Sequence, residues 1–206
     1  MSGEFLTAFA ILFVMIDPIG LTPLFAALTA GMDQRRRIAI TLRAIAVAAV
    51  ILTLFGMAGD ALLKSVGISL PAFRISGGIM LFLLAVDMLF EKRTERREKS
   101  AEEEIHNDPS VFPLATPLIA GPGAMATMIL LISEHPGDTG GQAMVYLGMA
   151  AVLAICVVTF MATGLIERAI GPTGIKVLTR LFGTLLGALA VQFVLDGIGE
   201  FWNIAH

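Results

Sequence analysis

The stretch IDPIGLTP, residues 16–23, lies in the middle of an apolar run at 5–30 that otherwise has the composition of one continuous helix. It places an acid, a glycine and two prolines at the centre of that run. Proline lacks an amide hydrogen and disfavours helix in the residue before it, while glycine admits backbone conformations closed to other residues. The sequence therefore predicts an apolar helix that is broken at its centre.

A second stretch, ATPLIAGPG at 115–123, repeats this combination later in the chain. Freed backbone groups are costly in hydrocarbon, so a break inside a membrane must line buried protein or a watered cavity. One such break is often no more than a kink, because proline and glycine are frequent in membrane helices. Two matched breaks instead favour a functional site at the interruptions.

The composition indicates an integral membrane protein. The chain has 206 residues, 56% of them hydrophobic and 15% charged, with a mean hydropathy of +0.84, whereas soluble domains carry about a quarter charged residues. A hydrocarbon core about 30 Å thick requires about 20 apolar residues per helix. Six segments meet this requirement and predict an all-α fold with six transmembrane helices, at 5–30, 38–59, 69–90, 111–133, 143–166 and 178–203.

Lysine and arginine fall on alternate sides of these predicted helices. Three loops are basic, which the positive-inside rule assigns to the cytoplasm, while the opposite loops and both ends offer only Lys64. Both termini are therefore expected outside the cell membrane. The basic loop residues are Arg35, Arg36, Arg37, Lys92, Arg93, Arg96, Arg97, Lys99, Arg168 and Lys176.

The only long polar run, 91–108, divides the chain into a first part at 1–90 and a second at 109–206. Its charges favour a solvated cytoplasmic linker over a docking element. Landmarks recur in the same order in both parts, and three helices per part would make equivalent helices antiparallel. The pattern predicts two inverted-topology three-helix repeats whose broken first and fourth helices meet near the membrane midplane. The landmarks are Asp17-Pro18 with Pro23, Thr116-Pro117 with Pro122, Arg74 with Gly77, and Arg180 with Gly183.

The two breaks are predicted to bind a small zwitterionic substrate. A half-helix that begins after a break presents free amides and a positive dipole end to a carboxylate, while carbonyls and Asp17 suit an ammonium group. Two alternatives stay open: Asp17 as a helix cap, and the threonines and glycines as packing residues, the role assigned outright to Gly77 and Gly78. The candidate binding residues are Asp17, Pro18, Gly20, Thr22, Thr116, Pro117, Gly121, Pro122 and Gly123.

Two arginines lie within predicted membrane helices, each at the predicted depth of an acid from the other repeat. We interpret Arg74 with Asp196 as an outer gate and Arg180 with Asp87 as an inner gate, made and broken alternately. The alternative is that both arginines extend to the lipid headgroups as anchors.

The sequence lacks the residue patterns that are typical of enzymes, nucleotide-driven pumps and metal-binding proteins. The sequence shows no paired catalytic carboxylates, Ser/His/Asp arrangement or phosphate-binding loop, so we expect neither an enzyme nor a nucleotide-driven pump. Cys156 stands alone and the histidines His106, His135 and His206 are scattered, so no metal or cofactor site is predicted. The net charge of −3 gives no indication of a nucleic-acid partner.

Four stretches together resemble the MarC family of bacterial inner-membrane proteins, within the wider LysE-type transporter grouping: FVMIDPIGLTPLF at 13–25, RRRIAI at 35–40, GISLPAFRISGGIMLFLLAVDMLF at 67–90 and FPLATPLIAGPGAMATMIL at 112–130. Leu21 stands where many members have asparagine, so one polar contact is missing. The resemblance implies six spans and transport of small neutral amino acids such as alanine or glycine.

The favoured hypothesis is thus a secondary transporter of small neutral amino acids, coupled to H⁺ or Na⁺ or to neither. A channel or exporter for other small solutes, including drugs, is the first alternative, and a membrane enzyme or assembly factor the last. The sequence does not decide the direction of transport, the coupling ion or whether the protein forms an oligomer.

Overall fold

The computed structural model describes residues 2–90 and 109–205, and over these two ranges the chain is helical with no strand. The predicted linker at 91–108, with its five basic residues, lies outside the described residues. The helices are α1 (Ser2–Ile16), α2 (Thr22–Leu28), α3 (Gln34–Ser65), α4 (Leu70–Leu89), α5 (Ser110–Ile119), α6 (Pro122–Ser133), α7 (Thr139–Met161) and α8 (Thr163–Ala205).

Four helices of the described chain are long and apolar enough to cross a membrane: α3, α4, α7 and the Arg168–Trp202 part of α8. Counting α5 and α6 as one span bent by 54° adds a fifth. The first apolar run is divided into α1 and the seven-residue α2, neither of which reaches the length of a span. The prediction of an all-helical membrane fold is confirmed, whereas the count of six spans is not.

Both predicted breaks are present. Helix α1 ends at Ile16 because Asp17 adopts a left-handed backbone conformation with φ 56°, and α2 begins only at Thr22, directly before Pro23. The second break is preceded by α5, a widened helix in which the Ala120 amide donates to the carbonyl of Ala115, five residues back, at 2.8 Å.

The helix α5 is itself irregular, since Phe112 and Thr116 have extended dihedral angles and each precedes a proline. This is the local effect expected of a residue that precedes proline. Two residues after α5, Gly121 lets the Pro117 carbonyl oxygen come close to its backbone. Any residue with a Cβ at position 121 would overlap that oxygen. Helix α6 then starts at Pro122.

Helices of the first part pack mainly against helices of the second. Helix α1 lies against α7, α3 lies against α5 and α6, and α4 lies against α8. Glycines permit the close contacts, as where Gly148 of α7 meets the backbone of Phe9 and Gly59 of α3 meets Ile129. The hydrophobic core is therefore formed between the two parts rather than within either one.

The contact between α4 and α8 is the most extensive and is antiparallel. A Cβ at Gly78 would lie 2.7 Å from the Ala190 carbonyl oxygen, and one at Gly197 would lie 2.9 Å from that of Pro71. Positions later in α8 thus face positions earlier in α4. The expected packing role of Gly78 agrees with this backbone-to-backbone approach.

The connection expected between the fifth and sixth spans is not a loop. Helix α8 already begins at Thr163 and changes direction at Gly171, where φ is 69°, before Pro172 starts the longer segment. Proline suits the first turn of a helix, where no amide bond is lost. Arg168 and Lys176, predicted as loop residues, consequently lie on helix on either side of this bend.

Candidate functional site

A cavity of about 320 Å³ lies at the second break. Its walls come from the end of α1, the second half of α4, the end of α5 and the start of α6. The cavity therefore joins both parts of the chain at the place where α5 gives way to α6. It is lined by Met15, Met80, Leu83, Leu84, Asp87, Leu118, Ile119, Gly121, Pro122, Gly123 and Ala124.

The first turn of α6 lines this cavity with Pro122, Gly123 and Ala124, and of these three Gly123 and Ala124 carry a backbone N–H. Gly121 precedes the helix in an extended conformation, and no side chain from the described part of the chain caps it. The first amides of a helix have no intrahelical acceptor and carry the positive end of the helix dipole. Glycine at positions 121 and 123 leaves the backbone of this turn without side chains, and the Pro117 carbonyl and the Met15 methyl group lie against it.

Asp87 of α4 lines the same cavity. The sequence predicts this acid in an inner gate, whereas the structure places it with the predicted binding residues Gly121, Pro122 and Gly123. A carboxylate and a helix N-terminus in one small cavity provide opposite charges for the two ends of a zwitterion. Its pairing with Arg180, which is exposed, stays a prediction.

The side chain of Met15, next to the first break, contacts Gly123 of the second break. A Cβ at Gly123 would overlap the Met15 Cε atom and would lie 3.4 Å from Leu81 Cδ2. Met15 stands two residues before Asp17, at the end of α1, and only 4% of its surface is exposed. The two breaks are therefore adjacent in the structure.

Asp17 itself lies outside this cavity and is fully buried. One carboxylate oxygen accepts a hydrogen bond from the Gly20 amide at 3.0 Å, and the other accepts one from the Thr179 hydroxyl of α8 at 3.2 Å. The carboxylate thus closes the turn after α1 and fastens it to α8. Asp17 does not cap α2, because the N-cap residue of that helix is Leu21 and no side chain caps it. Contact between Asp17 and a substrate stays a prediction.

The other predicted residues of the first break are also engaged locally. The Thr22 hydroxyl donates to the Ile19 carbonyl at 2.7 Å, and Pro18 is buried. In the second break the Thr116 hydroxyl is buried and has no hydrogen-bond partner within the described residues, while Pro117 is exposed. Of the nine predicted binding residues, the cavity lining includes Gly121, Pro122 and Gly123.

Arg74 pairs with different acids from the one predicted. Its guanidinium lies 2.6 Å from Glu200 and 3.6 Å from Glu134, and its side chain is 7% exposed. Asp196, the predicted partner, instead accepts a hydrogen bond from Gln192 at 2.7 Å. Side chains on a helix lean toward its N-terminus, so the guanidinium lies nearer the start of α4 and meets the acid one turn further along α8.

Glu134 follows α6 directly and closes this ion cluster. Burial raises the pKa of the Glu134 carboxyl from its ordinary value of 4.5, and the charge of Arg74 opposes that increase. Sequence reasoning missed Glu134, Glu200, Thr179 and Met15. Glu200 could have been found, since it stands one helical turn after Asp196, but nothing in the sequence distinguishes Thr179 from the other threonines.

Comparisons with known proteins identify the family of this chain. The sequence model for MarC family integral membrane proteins matches residues 3–202. A UPF0056 membrane protein of Archaeoglobus fulgidus is 38% identical over 95% of this chain and 92% of its own. One of Methanocaldococcus jannaschii is 36% identical, over 94% and 95%, and the UPF0056 inner membrane protein YhgN of Escherichia coli is 33% identical, over 95% and 96%.

No solved structure matches the chain significantly. The family match covers nearly all of the sequence, from the first helix to the last. The relatives extend over both parts of the chain and over both breaks at more than 30% identity. On these grounds the chain belongs to the MarC family of integral membrane proteins.

Proposed function

We propose that this protein is a secondary transporter of small neutral amino acids of the alanine and glycine class, working by alternating access. The observation that carries the proposal is the shared cavity of about 320 Å³, in which the N-terminus of α6 and the Asp87 carboxylate both lie. Ligand cavities in proteins span about 300–1,000 Å³, so this one suits a small solute.

The charges in the cavity match the two ends of an amino acid. The substrate carboxylate is held by the uncapped amides of Gly123 and Ala124, since Pro122 has no N–H, at the positive end of the α6 dipole. Its ammonium group is held by Asp87. The remaining lining is apolar or without side chains, as at Leu84 and Gly123, which favours a small uncharged side chain.

The membrane arrangement that we propose has six spans in two inverted repeats, with both termini outside. Helices α1 and α2, if collinear across the turn at 17–21, would extend about 33 Å at 1.5 Å per residue, enough to cross. The packing supports the repeat, because α1 against α7 corresponds to α5 and α6 against α3 when the two parts are exchanged. The Escherichia coli relative is named as an inner membrane protein, and we assign this chain to the same membrane.

The test is uptake of radiolabelled alanine by the purified protein in proteoliposomes, with imposed proton or sodium gradients. We expect alanine to accumulate, glycine to compete with it and one of the two gradients to drive it. If alanine and glycine are not transported but another small solute or a drug is, the protein is instead the exporter considered above.

Asp87→Asn provides the residue-level test, since it retains the shape of the side chain and removes the charge that would hold the ammonium group. We expect at least about a tenfold loss of alanine uptake, as for a lost charge-assisted contact worth 1.5–3 kcal/mol. The matched control is Asp60→Asn, an exposed acid paired with Lys64 at 2.6 Å, which should transport normally. Equal uptake by both variants would remove Asp87 from the site.

A further inference from the structure

The side chain of Met15 lies across the first turn of α6. It is the residue that α1 contributes to the lining of the cavity, and it is 4% exposed. Its terminal methyl group occupies the space that a Cβ of Gly123 would need. The thioether therefore rests directly on the backbone where the α6 amides begin.

The position of this methyl group matters because of what the amides would bind. In an amino acid the side chain departs from the carbon atom next to the carboxylate. A substrate whose carboxylate lies on the α6 amides must direct its side chain into the space beside that turn, where Met15 and Leu81 already lie against Gly123. Methionine is unbranched and adaptable, and its terminal methyl group fills the space beside Gly123, so a larger substrate side chain would compete with it for that volume.

We propose that Met15 sets the upper limit on the size of the substrate side chain, so that the protein accepts glycine and alanine and rejects branched and longer amino acids. This inference rests on the function proposed above. Met15 acts by occupying volume and makes no polar contact with the substrate in this role. It also places the selectivity element in the first part of the chain and the carboxylate site in the second.

Volume offers a sharp test, because Met15→Ala shortens the side chain while Met15→Leu keeps its bulk. Uptake of labelled alanine, valine and leucine is measured in proteoliposomes for the wild type and both variants. A pocket distinguishes substrates by about 10- to 200-fold per methylene group. We therefore expect Met15→Ala to raise the ratio of leucine to alanine uptake at least tenfold, and Met15→Leu to retain the wild-type ratio.

The outcomes separate this inference from the proposed function. If the wild type transports neither alanine nor glycine, the proposed function fails. If it transports alanine but Met15→Ala leaves the leucine-to-alanine ratio unchanged, the function stands and the role of Met15 is overturned. Should Met15→Ala fail to fold, Met15→Val makes a smaller change in volume, and the same comparison with valine as substrate decides the question.

Discussion

Asp17 shows how a single buried charge organises a break. The acid was recognisable from the sequence alone, because a carboxylate inside an apolar helix is expensive and needs a reason to be there. Its partner was not recognisable, since Thr179 is 162 residues away and joins Asp17 only through the packing of α8. The side chain that sequence reasoning assigned to the substrate is thus seen to hold two elements of the protein together.

We predict how stability changes when the Thr179 hydroxyl, which donates to Asp17, is removed. Thr179→Val keeps the shape of the side chain but leaves a buried carboxylate oxygen without that hydrogen bond, at a cost of about 1–3 kcal/mol in the free energy of unfolding. Thr184→Val is the control, because its hydroxyl is exposed and donates to the Arg180 carbonyl of its own helix. It should change the stability by less than about 0.5 kcal/mol. Unfolding in detergent measures both, and equal losses would mean that the Asp17 bond contributes nothing specific.

Among the helices, the two breaks were predictable and the α8 bend was not. The breaks depend on the prolines and glycines at 17–23 and 115–123. The effect of these residues on the backbone is local, so it can be predicted from the sequence. Gly171 and Pro172 are also local signals, yet the polar residues around them resemble a loop, so the helical segment before the bend was missed. The antiparallel fit of α4 to α8 depends on contacts between distant positions, which only the folded chain displays.

The α4 and α8 contact gives a prediction at this scale. Gly78→Ala would place a Cβ 2.7 Å from the Ala190 carbonyl oxygen, a backbone atom that cannot move alone, and overpacking of this kind costs about 1–3 kcal/mol. Gly199→Ala in the same pair of helices is the control, since a Cβ there meets nothing within 4 Å. It should leave stability unchanged or raise it by up to about 1 kcal/mol, because alanine favours helix. If both variants unfold alike, the close approach of the two helices is not limiting.

Across the whole molecule, the ion cluster of Arg74, Glu134 and Glu200 links α4, the end of α6 and the end of α8. The sequence predicted the partner of Arg74 at the correct end of α8. It indicated Asp196, however, which lies one helical turn before the observed partner Glu200. The error arose because depth was counted along the backbone, whereas the long arginine side chain leans toward the start of its helix. The sequence indicated Arg74 and Arg180 alike, and only the folded chain shows that Glu134 and Glu200 are the acids beside Arg74.

The cluster also predicts a dependence of stability on pH. Burial raises the pKa of Glu134 above 4.5, so the folded protein binds this proton more tightly than the unfolded chain does. The contribution of the protonated Glu134 carboxyl to the free energy of unfolding is fully present below pH 4.5. It is lost as the pH rises through the higher pKa of the folded state. Glu134→Gln cannot lose a proton, so its unfolding temperature should rise relative to that of the wild type over this interval. A constant difference between Glu134→Gln and the wild type would contradict the expected shift.

The partners of Arg74 have a consequence for the making of the protein. Glu200 follows Arg74 by 126 positions in the chain, and ribosomes add about 5–20 residues per second. Some 6 to 25 seconds therefore pass between the synthesis of the guanidinium and that of its nearest acid. Throughout that time Arg74 lacks the acid that lies nearest to it in the finished protein, and its more distant partner Glu134 is made first.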